Sequence, residues 1–153
     1  MNEQGIDLLQ GLLGMLRGLK WYYWNCHWMS KGQPSYGDHL LFERLYSEQI
    51  DTQIDNLAEK ITAYDPVSLQ SLLMLDAFNR FLKPVHGHSG PIGGHEFAQN
   101  GLAMEKHFQN SIKQVYNILK KSNNLSLGMD DYLMTLANER ETVIYLLSQR
   151  TRR

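Results

Sequence analysis

The sequence predicts an all-α protein, a four-helix bundle with a short helix in the segment that links the second and third long helices. Three observations carry that expectation. Four long stretches repeat apolar residues at three- and four-residue steps, the helical period. No run alternates apolar and polar residues as a half-buried strand would. Between the second and third stretches lies a glycine-, proline- and histidine-rich link. At 153 residues the chain is expected to form a single domain, residues 1–153, large enough to bury a substantial core.

The first long helix is expected over residues 5–27. Ile6, Leu9, Leu13, Leu16 and Tyr23 form one apolar series, and Leu8, Leu12, Met15, Leu19 and Tyr22 form a second beside it. A lone surface helix needs only one such strip, so this helix is either central or buried against another subunit. It ends in the aromatic run WYYWNCHW, and Lys31, Gly32, Gln33 and Pro34 make a turn. Ser35 or Asp38 can cap the second helix, which runs to about Thr62.

The second helix carries a slip. Leu41, Phe42, Leu45 and Tyr46 share one face, whereas Ile50, Ile54, Leu57 and Ile61 define a face rotated by about 100°, one residue's worth. The polar face turns with it, from His39 and Glu43 to Asp55 and Glu59. One extra residue near positions 46–50, held in a π-bulge, explains both shifts; a change of burial partner along the helix is the other explanation.

Asp65 and Pro66 end that helix. Residues 68–82 form a short helix, and KPVHGHSGPIGGHE follows as a loop whose His86, His88 and His95 are either transition-metal ligands or solvated loop residues. A third long helix runs from His95 or Glu96 to about Lys121, with Met104, Phe108, Val115 and Leu119 inward. The last covers roughly 129–149, with Leu133, Leu136, Ala137, Val143, Ile144 and Leu147 inward and Asp130 or Asp131 as its cap.

Composition limits the function. A formal net charge of -1 gives no general attraction to nucleic acid or anionic membrane. No apolar run approaches the roughly 20 residues of a membrane span. The start MNEQGIDLLQ lacks the basic, small-residue pattern of a signal peptide, and a single cysteine, Cys26, precludes an intrachain disulfide. A cytoplasmic location is expected. Cys26 reads as a buried inert thiol rather than a ligand.

The chemistry concentrates between His27 and Glu59. His27 and His39 stand twelve residues apart, Glu43 follows His39 by four, and Asp55 and Glu59 form a further four-spaced pair. Four-residue spacing stacks side chains on one helix face. Imidazole and carboxylate donors without thiolates suit iron, manganese or zinc.

LRGLKWYYWNCHWMSKG, then YGDHLLFERLY and DNLAEKI, resemble the Dps branch of the ferritin-like proteins. That family has a histidine-tryptophan pair closing its first helix, a glycine five residues after the histidine, and a second histidine twelve after it. Here these are His27-Trp28, Gly32 and His39. It then has an acid four residues on, and an acid pair four apart; here these fall on Glu43, Asp55 and Glu59, with Ala58 before the last. Two departures stand out. Glu43 replaces the usual aspartate, and Glu43 to Asp55 is one residue longer than the family spacing, which without a gap would place Ile54 and Ala58 at ligand positions. A bulge in the second helix restores the geometry.

The resemblance implies a ferritin-like bundle that pairs around two-fold axes and assembles into a hollow dodecamer. It implies a ferroxidase that oxidises Fe(II) with peroxide or O2 and stores ferric mineral, contributing to iron detoxification. The catalytic and iron-binding residues implied are His27, Asp55 and Glu59 from one subunit with His39 and Glu43 from its partner. Trp28 would lie near the site, either quenching oxidising equivalents or simply packing. Asp130 and Asp131 either line an iron entry pore or serve as caps. A ferritin-type centre inside one bundle needs Glu-x-x-His motifs, which Glu59-Thr62 and Glu105-His107 do not supply. The chain has no lysine before Lys20, and only Arg150, Arg152 and Arg153 make a basic end, so DNA binding is not expected. The alternative is a non-enzymatic shell or structural oligomer whose metal site is altered or holds zinc.

Overall fold

The computed structural model describes residues 1–85 and 93–152, and among them every regular element is helical. These are α1 (Glu3–Met29), α2 (Ser35–Ser47), α3 (Ile50–Tyr64), α4 (Leu73–Leu82), α5 (Gly94–Lys121) and α6 (Leu127–Thr151), with single 3₁₀ turns at Ser68–Gln70 and Lys83–Val85. Helix α1, the interrupted α2–α3 rod, α5 and α6 are the four members of the bundle, and α4 lies in the link, as the periodicity predicts. His86 and His88, left by the sequence as either metal ligands or solvated loop residues, fall outside the described residues. His95 sits half-buried in the first turn of α5.

Local chemistry sets the helix ends. Asn2 accepts from the Gly5 amide at the start of α1 (2.9 Å). Ser126 accepts from the Met129 amide at the start of α6 (3.0 Å). Ser126 therefore caps α6, not Asp130 or Asp131, because the helix begins at Leu127, two residues earlier than the apolar pattern alone indicates. Asn123, at φ 56°, closes α5 in the left-handed conformation that asparagine tolerates.

The core follows the predicted stripes. Leu9, Leu13, Leu16 and Tyr23 of α1, Phe42 and Leu45 of α2, Leu57 and Ile61 of α3, Phe108 and Leu119 of α5, and Leu133, Leu136 and Leu147 of α6 are all buried. Helix α1 is central, packing against α2, α3, α4 and α5. Of its second apolar strip, Leu12, Leu19 and Tyr22 are buried within this single chain, so subunit pairing is not needed to cover them. Helix α4 supplies part of that cover. It comes so close that a β-carbon at Gly14 would collide with the Met74 carbonyl. Leu8 and Met15 remain on the wall of a groove of about 500 Å³ between α1, α4 and α5.

Asp38 does not cap α2. It is buried inside that helix and receives both Nε (2.6 Å) and Nη2 (3.0 Å) of Arg150 near the end of α6. Gly94 lies against this carboxylate, where any β-carbon would overlap it, so the pair ties α2, α5 and α6 together at one end of the bundle. No described helix is long and apolar enough to cross a membrane.

Candidate metal centre

The junction between α1 and α2 holds both predicted histidines. Gly32, at φ +86°, turns the chain in a conformation that favours glycine, so the start of α2 returns beside the end of α1. His27 Nδ1 then bonds the His39 carbonyl (2.8 Å), and His39 Nδ1 bonds the His27 carbonyl (3.0 Å). The two rings stack with centroids 3.6 Å apart. A carbonyl can only accept, so each Nδ1 carries its proton. With Nδ1 engaged, Nε2 is the nitrogen left for a ligand in each ring, and no described group takes it. This is how protein sites usually orient imidazole for a metal. Glu43 follows His39 by one helical turn, on the same face and exposed.

Aromatic rings wall the pair. Tyr46 stands edge-on to His27 (5.2 Å) and stacks on Trp24 (5.2 Å, 11°), which in turn meets Trp28 (5.3 Å). Trp28 is 61% exposed and Trp24 40%, with Met29 and Leu40 also open to solvent. Such an exposed apolar surface is typical of one that another protein covers. Cys26 is fully buried next to this cluster, and burial pushes its thiol up to about 12, which removes it as a thiolate ligand.

Glu48 and Gln49 interrupt the second helix of the bundle, where the slip in the apolar pattern locates an extra residue. Glu48 leaves the helical region at ψ -87°, and helical bonding resumes with the Gln53 amide on the Gln49 carbonyl (3.0 Å). The feature is a break with two bent residues rather than a π-bulge. Its consequence is the expected one: Phe42 and Leu45 face the core before it, Leu57 and Ile61 after it, and Asp55 and Glu59 are exposed on the outward side of α3.

Within one chain the five candidate ligands form two groups. Among the described residues no three histidine, cysteine, aspartate or glutamate side chains converge closely enough to hold a metal ion. His27, His39 and Glu43 sit at the α1–α2 junction, and Asp55 and Glu59 lie farther along α3. His27 and His39 of the same chain are in ring contact, whereas the resemblance divides them between two subunits.

The bundle interior contains a polar cluster absent from the sequence expectations. Arg140 of α6, 1% exposed, donates Nε to Glu105 Oε2 of α5 (3.1 Å) and makes a second, shorter contact to Oε1. Tyr23 of α1 donates to the same Oε1 (2.6 Å), and Arg140 Nη1 donates to Gln53 Oε1 of α3 (3.2 Å). Burial by itself would lower the Arg140 guanidinium, but the Glu105 charge and hydrogen bonds hold it above its ordinary value. Burial, then Glu105, drives the Tyr23 hydroxyl well above its ordinary value. The signal was present in the sequence as charges at inward positions: Arg140 four residues after Leu136, and Glu105 three before Phe108. This ion pair fills the centre of the bundle with protein charge, in keeping with the missing Glu-x-x-His motifs.

Four long bundle members, with a short helix in the link between the second and third, make an all-α four-helix bundle with a polar centre. The chain matches the X-ray structure of Dps from Thermosynechococcus elongatus with a TM-score of 0.75, over 99% of this chain and 92% of that one, at 20% sequence identity. That likeness establishes a Dps-like, ferritin-like fold. Comparisons with protein-family models and with curated proteins give no match.

Proposed function

We propose that this protein is a Dps-like ferroxidase and iron-storage protein, with each iron site shared between two chains. The observation that carries the proposal is the histidine pair: both Nδ1 atoms are fixed on carbonyls, both Nε2 atoms are open, and an exposed aromatic surface surrounds them. His27, His39 and Glu43 of one chain form one half of the site, and Asp55 and Glu59 of the partner form the other. This arrangement uses every predicted ligand and covers the apolar patch. A two-fold pair makes two such sites, because its contact surface is self-complementary.

Fe(II) is the substrate. The imidazoles and carboxylates bind it, and the carboxylate charge favours the ferric product. Each ferrous ion loses one electron, and two electrons reduce one peroxide; O2 is the alternative acceptor. Hydrolysis of the ferric product releases protons as mineral forms inside a dodecameric shell. The assembly is cytoplasmic and is not expected to bind DNA, since Arg150 of the basic C-terminal end is engaged by Asp38. A second reading, a shell without oxidase activity, draws on the extra residue at the Glu48–Gln49 break.

Complementation distinguishes these readings. His27→Ala and Glu59→Ala homo-oligomers should oxidise Fe(II) at the uncatalysed rate, and co-refolding equal amounts should restore about a quarter of wild-type activity. Half of randomly formed pairs are mixed, and each mixed pair has one intact site of two. No recovery would refute the division of ligands proposed here. A wild type no faster than free iron would leave only the non-enzymatic shell, and light scattering would test the dodecamer separately.

A further inference from the structure

Resting on the shared site above, we infer that Gln53 is a positioning residue, clamped by α6 so that the rotation of α3 aims Asp55 and Glu59 at the partner's histidines. The break at Glu48–Gln49 makes a clamp necessary. Two residues leave the helix there, so the α2 hydrogen-bond ladder does not impose a rotation on α3. Ile50, Leu57 and Ile61 turn α3 toward the core, but an apolar stripe about 100° wide fixes rotation only loosely.

Gln53 supplies directional contacts. It is 4% exposed, and its three partners outside its own helix all lie on α6. Its Nε2 donates to Glu139 Oε2 (2.7 Å), its Oε1 accepts from Arg140 Nη1 (3.2 Å), and its main-chain carbonyl accepts from the Tyr132 hydroxyl (2.7 Å). Arg140 is itself fixed by Glu105, which Tyr23 also holds. Gln53 is thus tied through the bundle centre to α1, α5 and α6. Asp55 and Glu59 are two and six positions farther on, about 200° and 240° around the helix, so they point away from the clamp. A 20° rotation of α3 would swing a carboxylate roughly 6 Å from the axis by about 2 Å. Metal–ligand distances tolerate about 0.2 Å.

Cobalt(II) titration of the assembled protein tests this, since cobalt accepts the same donors and reports them through its visible bands. Gln53→Met keeps the length of the side chain but loses both of its clamping bonds. It should weaken cobalt binding about tenfold or more, the usual effect of removing an outer-shell contact, and should alter the band pattern. Tyr132→Phe, which removes one bond with little change in volume, should weaken binding about threefold and decides the matter if Gln53→Met does not fold. Ile112→Val, a core substitution away from the clamp, should leave affinity and spectrum unchanged, separating positioning from general loss of stability. Wild-type cobalt affinity and spectrum in Gln53→Met and Tyr132→Phe, with binding lost in Glu59→Ala, would overturn the positioning role and leave the shared site standing. A wild type that binds no cobalt would overturn both.

Discussion

The α1–α2 junction and the bundle centre both gather ionisable side chains, yet they treat them in opposite ways. At the centre, Glu105, Arg140, Tyr23 and Gln53 use one another's donors and acceptors away from water. At the junction, His27 and His39 use one nitrogen each on the backbone and leave the other open beside exposed tryptophans. A closed polar cluster can only stabilise or position. An open one can bind. Titratable residues alone therefore do not tell the two regions apart; closed contacts in one and open nitrogens in the other do.

Alkaline pH should break the closed region first and with the largest effect. Tyr22, Tyr23 and Tyr132 are held well above 10 and Cys26 at about 12, burial being the leading cause in each. The unfolded chain loses these protons from pH 9 to 10 upward, while the folded chain keeps them. Their contribution is thus intact below pH 9 and is lost as pH rises toward the folded values, at about 1.4 kcal/mol per pH unit per group. A domain worth about 5–15 kcal/mol should unfold cooperatively between about pH 10 and 12. Tyrosinate absorbance should show the buried hydroxyls ionising only with the loss of helical circular dichroism; their free titration in the folded protein would contradict the closed centre.

Arg140→Met should cost about 3–5 kcal/mol in urea unfolding, because it strands the Glu105 charge. Adding Glu105→Leu should recover most of that loss, which a purely steric role for Arg140 would not allow.

Asp38→Asn should cost about 1–2 kcal/mol by weakening the charge-assisted bonds from Arg150. That lower figure follows from the partly open guanidinium, 24% exposed.

His39→Ala should shift stability least, by under about 1 kcal/mol, since its ring lies at the surface. It should nevertheless remove Fe(II) oxidation. A large loss of stability with oxidation retained would erase the contrast between the two regions.

Much of the architecture was legible beforehand. The helical period marked each long helix, and the rotation of the apolar face between Tyr46 and Ile50 located the break to within a few residues. Helix ends shifted by a few positions, as at Ser126, because capping depends on one side chain that periodicity does not register. The candidate ligands were legible as residue types at helical spacings, but their grouping was not. His27 and His39 lie on separate helices, and only the turn at Gly32 brings their rings together.

By itself the sequence determined the helices, their inward faces, the slip in the second and the set of metal-compatible donors, since all of these rest on interactions within a few residues. The tertiary structure alone decided that α4 would help cover the second strip of α1, that Glu105 would meet Arg140 across 35 positions and that Asp38 would meet Arg150 across 112. It also placed His27, His39 and Glu43 in one group and Asp55 and Glu59 in another on one chain. Those outcomes depend on how helices pack, and a helix face records that it will be buried without recording against what.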